Sequence, residues 1–93
     1  WRIPTNTEWA NVDASGNWSN WNGPWNSALK LHAAGFVNGV SGSLYERGTS
    51  GHYWSSGQMN NTIGWQLSFT NGTSLISQSN KANGFTIRCL KDL

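Results

Sequence analysis

The chain has 93 residues, of which 11% are charged, and a formal net charge of +2. Seven tryptophans stand among 42 small polar residues (12 Asn, 12 Ser, 11 Gly and 7 Thr). Disorder goes with few aromatics and high net charge, and charge-laced bundles with Ala, Glu, Lys and Leu; both are excluded, leaving a small globular domain with strands, a tryptophan-rich core and a neutral surface.

The first element is a helix. Thr5-Asn6-Thr7-Glu8 fits a capping box, in which the Thr5 hydroxyl takes the Glu8 N–H and the Glu8 carboxylate takes the Thr5 N–H. Pro4 holds Ile3 extended before it, and the helix fades between Asp13 and Gly16. From Ser15 to Asn26 the spacing of Trp18, Trp21 and Trp25 is helical, but Gly16, Gly23 and Pro24 interrupt it. This segment reads as a structured loop whose indoles either plug the core or present a stacking surface.

Alternation then predicts strands. Ala28–Ala33 puts Leu29, Leu31 and Ala33 on one face. Asn38-Gly39 signals a hairpin, followed by a strand over Ser43–Gly48 and another over His52–Ser56. Gly64–Thr70 places Trp65, Leu67 and Phe69 together, and Asn71-Gly72 turns the chain into Thr73–Ile76. Gly84–Leu90 closes the domain with Phe85, Ile87 and Cys89 on one face, which makes Cys89 a buried core thiol. The fold class is α+β: a short N-terminal helix, then a small, mostly antiparallel sheet with long Asn/Gly/Ser loops. Trp9, Phe36, Trp54, Leu67, Phe69, Phe85 and Ile87 are the expected scaffold.

Charge and chemistry-bearing residues exclude several functions. Arg2, Lys30, Arg47, Lys81, Arg88 and Lys91 are scattered singly, so no basic patch for nucleic acid forms. Cys89 is the only cysteine, which removes internal disulfides and cysteine-based zinc sites. No run approaches the roughly 20 apolar residues of a membrane span, so no direct membrane insertion is expected. Glu8, Asp13, Glu46 and Asp92 are dispersed, His32 and His52 stand alone, and no Gly-x-Ser-x-Gly elbow occurs. Neither a catalytic constellation nor a metal or cofactor is expected.

What remains is surface chemistry. Asn, Gln, Ser and Thr supply donors and acceptors with little charge, and indoles supply flat apolar area, a combination suited to protein or glycan ligands. Two polar stretches, Gln58–Thr62 and Ser77–Lys81, are the candidate loops. The candidate ligand-binding residues are Gln58, Asn60, Asn61, Thr62, Trp65, Asn71, Ser77, Gln78 and Asn80. Trp65 also suits the core through its alternation with Leu67 and Phe69.

Four motifs carry a family resemblance. Trp1-Arg2-Ile3-Pro4-Thr5-Asn6-Thr7-Glu8-Trp9 resembles the Trp-Arg-Leu-Pro-Thr-x-x-Glu-Trp motif of the Fibrobacter succinogenes major paralogous domain. Ala34-Gly35-Phe36 with Asn38-Gly39 and then Gly42-Ser43-Leu44 is similar to its Ala-Gly-Tyr-Arg-Asn-Gly stretch and the step after it. Tyr53-Trp54-Ser55-Ser56 resembles its Tyr-Trp-Ser-Ser signature, and Gly84-Phe85-Thr86-Ile87-Arg88-Cys89 its Gly-Phe-Ser-Val-Arg-Cys close.

That family is related to the formylglycine-generating enzyme group, and the resemblance implies a C-type lectin-like fold. It also implies that residues 1–93 form a single domain, the C-terminal portion of a longer one. The oxidase's reactive cysteines have no counterpart beyond Cys89, and the calcium-binding motifs of true C-type lectins are missing, so neither activity is implied. The implied role is a ligand-binding module outside the cell, on a bacterial surface, as in lipoproteins of gut Bacteroidetes, or on a virion, with oligomers possible; the alternatives are a structural module of a surface lipoprotein and a fragment of a formylglycine-generating-type enzyme. Lectin-like proteins of this group include the variable proteins of diversity-generating retroelements, whose variable positions lie in the C-terminal half.

Overall fold

The computed structural model describes residues 2–20, 22–27 and 29–89. Helix α1 (Asn6–Gly16) starts at the capping box: the Glu8 N–H donates to Thr5 Oγ1 at 3.1 Å, and the Thr5 N–H donates to Glu8 Oε1 at 2.9 Å. Glu8 also accepts from both terminal nitrogens of Arg2, at 2.6 and 2.7 Å. A bidentate pair therefore ties the entering segment to the first helical turn. Asn17 ends the helix in the left-handed region, at φ 51°, a conformation Asn adopts readily at helix ends.

The tryptophan-rich segment contains a second, short helix, α2 (Asn22–Asn26). The two readings of its indoles divide by residue. Trp18 packs against the core and lies over Gly23, where a Cβ would stand 2.4 Å from Trp18 Cδ1. Trp25 is 44% exposed, with the His32 ring 4.9 Å away and Lys30 Nζ 5.9 Å from its centroid. Trp21 lies outside the described residues.

The strand expected over Ala28–Ala33 does not form among the described residues, 29–33. Lys30 sits at φ 51°, which breaks an extended run, and the Leu31 N–H donates to the Pro24 carbonyl rather than to a strand partner. Leu31 is nevertheless fully buried. The Asn38-Gly39 hairpin is present, joining β1 (Phe36–Val37) to β2 (Leu44–Tyr45) with Phe36 opposite Tyr45. The strand expected over Ser43–Gly48 stops at Tyr45 because Glu46 turns into the left-handed region, at φ 59°.

The main sheet is an antiparallel meander of β3 (Gly51–Gln58), β4 (Ile63–Phe69) and β5 (Ser74–Asn80). Tyr53 pairs with Leu67 and Leu67 with Ile76, so these side chains share the face that α1 covers. Trp9, Leu31, Tyr53, Leu67 and Phe69 form the buried core. The Trp9 indole N–H donates to the Trp54 carbonyl at 3.2 Å. The Tyr53 hydroxyl donates to the His32 carbonyl at 3.1 Å and accepts the His32 N–H at 2.9 Å, which satisfies its polar tip. Burial raises the Tyr53 pKa above the usual phenol value.

The opposite face carries a second aromatic layer: Trp54 and Phe85 at 4.4 Å, His52 and Phe85 at 4.9 Å, Phe36 and Phe85 at 5.8 Å. Six of the seven expected scaffold residues therefore lie in one aromatic or apolar layer or the other. Ile87 does not, being 53% exposed. The closing strand over Gly84–Leu90 is reduced to single bridges, Val37 with Gly84 and Tyr53 with Thr86; Leu90 lies outside the described residues. A parallel contact of two bonds, Trp54 N–H to Thr86 O and Thr86 N–H to His52 O, holds this segment to the edge of β3. Beyond Thr86 the chain leaves that edge, so Ile87 and Cys89 are exposed.

The helix start generates a pH prediction. The Arg2 guanidinium, with the Thr5 N–H, holds the Glu8 carboxyl at about 2, down from 4.5. A lowered folded-state pKa stabilises at pH values above the usual one and fades as pH falls towards the lowered one. The difference in melting temperature between wild type and Glu8→Gln should therefore be full above pH 4.5 and close towards pH 2. Thr5→Ala, which removes the hydroxyl acceptor, should cost about 1 kcal/mol by denaturant titration at neutral pH.

Candidate functional site

The nine residues nominated from sequence do not all meet. In the turn between β3 and β4, Asn60 Oδ1 accepts from the Thr62 N–H at 2.9 Å, the Thr62 hydroxyl at 3.1 Å and the Ile63 N–H at 2.9 Å. Asn80 ends β5 beside this turn, opposite Ile63, and the next N–H, of Lys81, donates to the Thr62 carbonyl at 2.9 Å. Gln58, Asn60, Asn61, Thr62 and Asn80 thus gather at one end of the sheet, all exposed.

Trp65 and Gln78 form a cross-strand pair two residues further in, about 7 Å along the strands. Both lie on the face that carries α1; Gln78 is exposed and Trp65 half-buried. Two nominations fall elsewhere. Ser77 pairs with Gln66 and faces the other side of the sheet. Asn71 occupies the opposite hairpin, beyond Phe69 at the far end of β4, which puts it about 20 Å from the Asn60 turn. Ser77, Gln78 and Asn80 are also strand residues rather than loop residues, because β5 pairs with β4 along its whole length.

Lys81, which closes the second candidate loop but is not among the nine nominated residues, joins the cluster. Lys81 Nζ donates to Gln58 Oε1 across the sheet end. A single lysine in a polar run gives no local signal, since its partner is 23 positions away.

Beside this pair opens a cleft of about 420 Å³, lined by Ile3, Trp54, Ser56, Gln58, Gly64 and Lys81. The half-buried Trp54 indole walls it. A Cβ on Gly64 would stand 3.0 Å from Trp54 Cζ3, so glycine is what lets the indole lie against the strand. The cleft exists because the β3–β4 register shifts between Trp54 and Gln58. There the Ser55 hydroxyl donates to the Trp65 carbonyl at 3.0 Å, and the Ser56 N–H donates to the Pro4 carbonyl at 2.8 Å. Such a bulge re-aims the side chains that follow it. Chemically, the cleft offers a flat apolar wall with an amide, a hydroxyl and an ammonium around it, which is the equipment for stacking and hydrogen bonding an uncharged polar ligand.

Two other groupings are chemically bland. Ser50 Oγ donates to Glu46 Oε2 at 3.0 Å and lies 3.1 Å from His52 Nε2, and His52 Nδ1 lies 2.8 Å from Gln66 Oε1. The residue types are those of a hydrolase triad, but Ser50 is 1% exposed, its hydroxyl lies between the Glu46 carboxylate and the imidazole, and an amide stands where the imidazole would need a carboxylate. The group fastens the 46–50 turn to the sheet. Among the described residues no three of His, Cys, Asp and Glu gather to hold a metal ion, and no helix is long and apolar enough to cross a membrane.

A smaller cleft of about 210 Å³ is lined by Pro4, Glu8, Trp9, Val12, Arg88 and Cys89. Cys89 is exposed there rather than buried, because residues 87–89 have already left the edge of β3. Its thiol should react stoichiometrically with a disulfide reagent in the native protein, at a rate close to that of the unfolded chain. Protection by orders of magnitude would contradict this exposure.

A family model described as a domain of unknown function, DUF8237, matches residues 5–90. The chain belongs to this family. No curated protein and no solved structure matches the chain. The DUF8237 match contains α1, the three-stranded sheet and every residue of the Gln58–Lys81 cluster, so the candidate site lies within the family's own domain.

Proposed function

We propose that this DUF8237 domain is a non-catalytic binding module, and that the sheet end formed by Gln58, Asn61, Thr62, Asn80 and Lys81, with the Trp54 cleft, is its recognition surface. The observation that carries this reading is the cleft itself. An indole wall and a bridged amide–ammonium pair stand together at an exposed sheet end. Glycans fit this chemistry best: their apolar ring faces stack on indoles and their hydroxyls pair with amides and ammonium groups.

The order of the four motifs supports a C-type lectin-like fold related to the Fibrobacter succinogenes paralogous domain. By the same resemblance, the module belongs outside the cell, on a bacterial surface or a virion. The exposed run of small polar residues from Asn60 to Thr62 also suits a diversified variable protein. A neighbouring reverse-transcriptase gene with a near-identical template repeat would establish that origin.

Alanine at Gln58, Asn61 and Lys81 together should shift stability by no more than about 0.5 kcal/mol per site, since these are exposed positions. The same variant should lose the signals that wild type gives on a glycan array. Undiminished signals in the triple variant would move the site elsewhere. Wild-type binding to cell-surface proteins alone, with no glycan signal, would replace the ligand class.

A further inference from the structure

The outer edge of β5 is unusually well suited to pairing. Hydrogen-bonding direction along β5 follows from its two ends. At one end the Thr70 N–H donates to the Thr73 carbonyl, and at the other the Lys81 N–H donates to the Thr62 carbonyl. In an antiparallel ladder, bonded and non-bonded pairs alternate. Leu75, Ser77 and Ser79 therefore turn their peptide groups towards β4, whereas Ser74, Ile76, Gln78 and Asn80 turn theirs outward. Among the described residues no strand pairs with that outward row, and only the Asn80 carbonyl is taken, by the Asn83 N–H at 3.1 Å.

Exposed edges are normally blunted by a lysine, a proline or a bulge. β5 has none of these: Ser-Leu-Ile-Ser-Gln-Ser-Asn is uncharged, and its register with β4 is unbroken over all seven residues.

We propose that β5 pairs antiparallel with β5 of a second copy about a two-fold axis at Ser77, joining two three-stranded sheets into one of six strands. In this register Ser74 faces Asn80 of the second copy and Ile76 faces its Gln78. All four outward residues fall at hydrogen-bonded positions, and only the small Ser77 side chains meet at the closely spaced pair on the axis.

The charged groups at the two ends of β5 lie on opposite faces of the sheet, Asp13 accepting the Ser74 hydroxyl on the face that carries α1 and Lys81 reaching across the other face to Gln58, so neither stands in the way of pairing at the outer edge. The helices do not obstruct it. α1 lies across β3, β4 and β5, and β4 and its counterpart would be three strand spacings apart, about 14 Å, against the 8–10 Å of packed helices. The Gln58–Lys81 cleft stays open in both copies, so this pairing neither requires nor excludes the binding role.

Sedimentation and backbone-resolved hydrogen exchange test it directly. The chain should sediment as a dimer at high concentration, with the amides of Ile76 and Gln78 gaining protection as concentration rises. Those of Leu75 and Ser77, already bonded to β4, should stay protected throughout. Gln78→Pro removes an outward N–H and no bond to β4, so it should keep the fold while raising the dimer dissociation constant by at least about tenfold. Gln78→Lys should do the same through repulsion. A chain that stays monomeric at every concentration overturns the proposal, as does a dimer that Gln78→Lys leaves unchanged or whose concentration-dependent protection falls on Leu75 and Ser77. If Gln78→Pro fails to fold, the wild-type exchange pattern decides alone.

Discussion

The stretch of β3 from Trp54 to Gln58, where the strand departs from its register with β4, is the constraint on which the rest depends. A departing strand exposes peptide groups that the ladder no longer serves, and buried orphans cost on the order of a lost hydrogen bond each. This structure supplies substitutes from three directions. The Trp9 indole N–H takes the Trp54 carbonyl, the Pro4 carbonyl takes the Ser56 N–H, and the Ser55 hydroxyl takes both the Trp65 carbonyl and the Gly57 N–H. The first two come from the N-terminal segment and α1. Their placement depends in turn on the capping box and the Arg2–Glu8 pair. A surface ion pair at the helix start is thereby linked, through the buried indole of Trp9, to the geometry of a cleft on the other side of the sheet.

The described tryptophans consequently do different work. Trp9 is core and also a hydrogen-bond donor to the bulge. Trp18 covers glycines beside α2, while Trp54 has one side on the aromatic layer with Phe85 and one wall on the cleft. An indole combines large apolar area with one polar tip, so it is suited to boundaries where a chain of few charges must seal a core and keep a usable surface. Nothing else here supplies that combination in quantity, which accounts physically for a tryptophan content this high in so short a chain.

How much of this was legible beforehand depended on whether the signal was local. The capping box at Thr5, the Asn38-Gly39 and Asn71-Gly72 hairpins, and the β4 alternation all rest on neighbours within a few positions, and all are present. Ala28–Ala33 alternates as well as any strand, but its outcome was set by Lys30 turning left-handed and by Pro24 claiming the Leu31 N–H. Gly84–Cys89 likewise has strand composition without a partner beyond Thr86. Ser77–Asn80 was misread in the other direction: a run of small polar residues has weak strand propensity, yet β4 dictates its conformation. Of the site, the amide turn was readable, whereas Lys81 and the cleft role of Trp54 depend on register across the sheet and on a bulge that sequence does not announce.

The asparagine surplus takes on a different meaning once its bonds are assigned. Asn20, Asn38, Asn60 and Asn80 each use the side-chain oxygen to accept backbone N–H groups two or three residues ahead, and Asn83 Oδ1 accepts the Gly39 N–H. These asparagines build turns by satisfying the local backbone, as their side-chain geometry favours. Asn60 Oδ1 thus serves the turn with three bonds and Asn80 Oδ1 with one, and each side chain keeps its amide NH2 as a donor. Lys81 adds further donors at the same sheet end and engages the Gln58 oxygen, beside the Gln58 NH2 donor. The surface that composition describes as neutral and indifferent is in fact biased towards donation. A ligand complementary to it presents acceptors, such as hydroxyl, carbonyl or ring oxygens, next to a flat apolar face for Trp54.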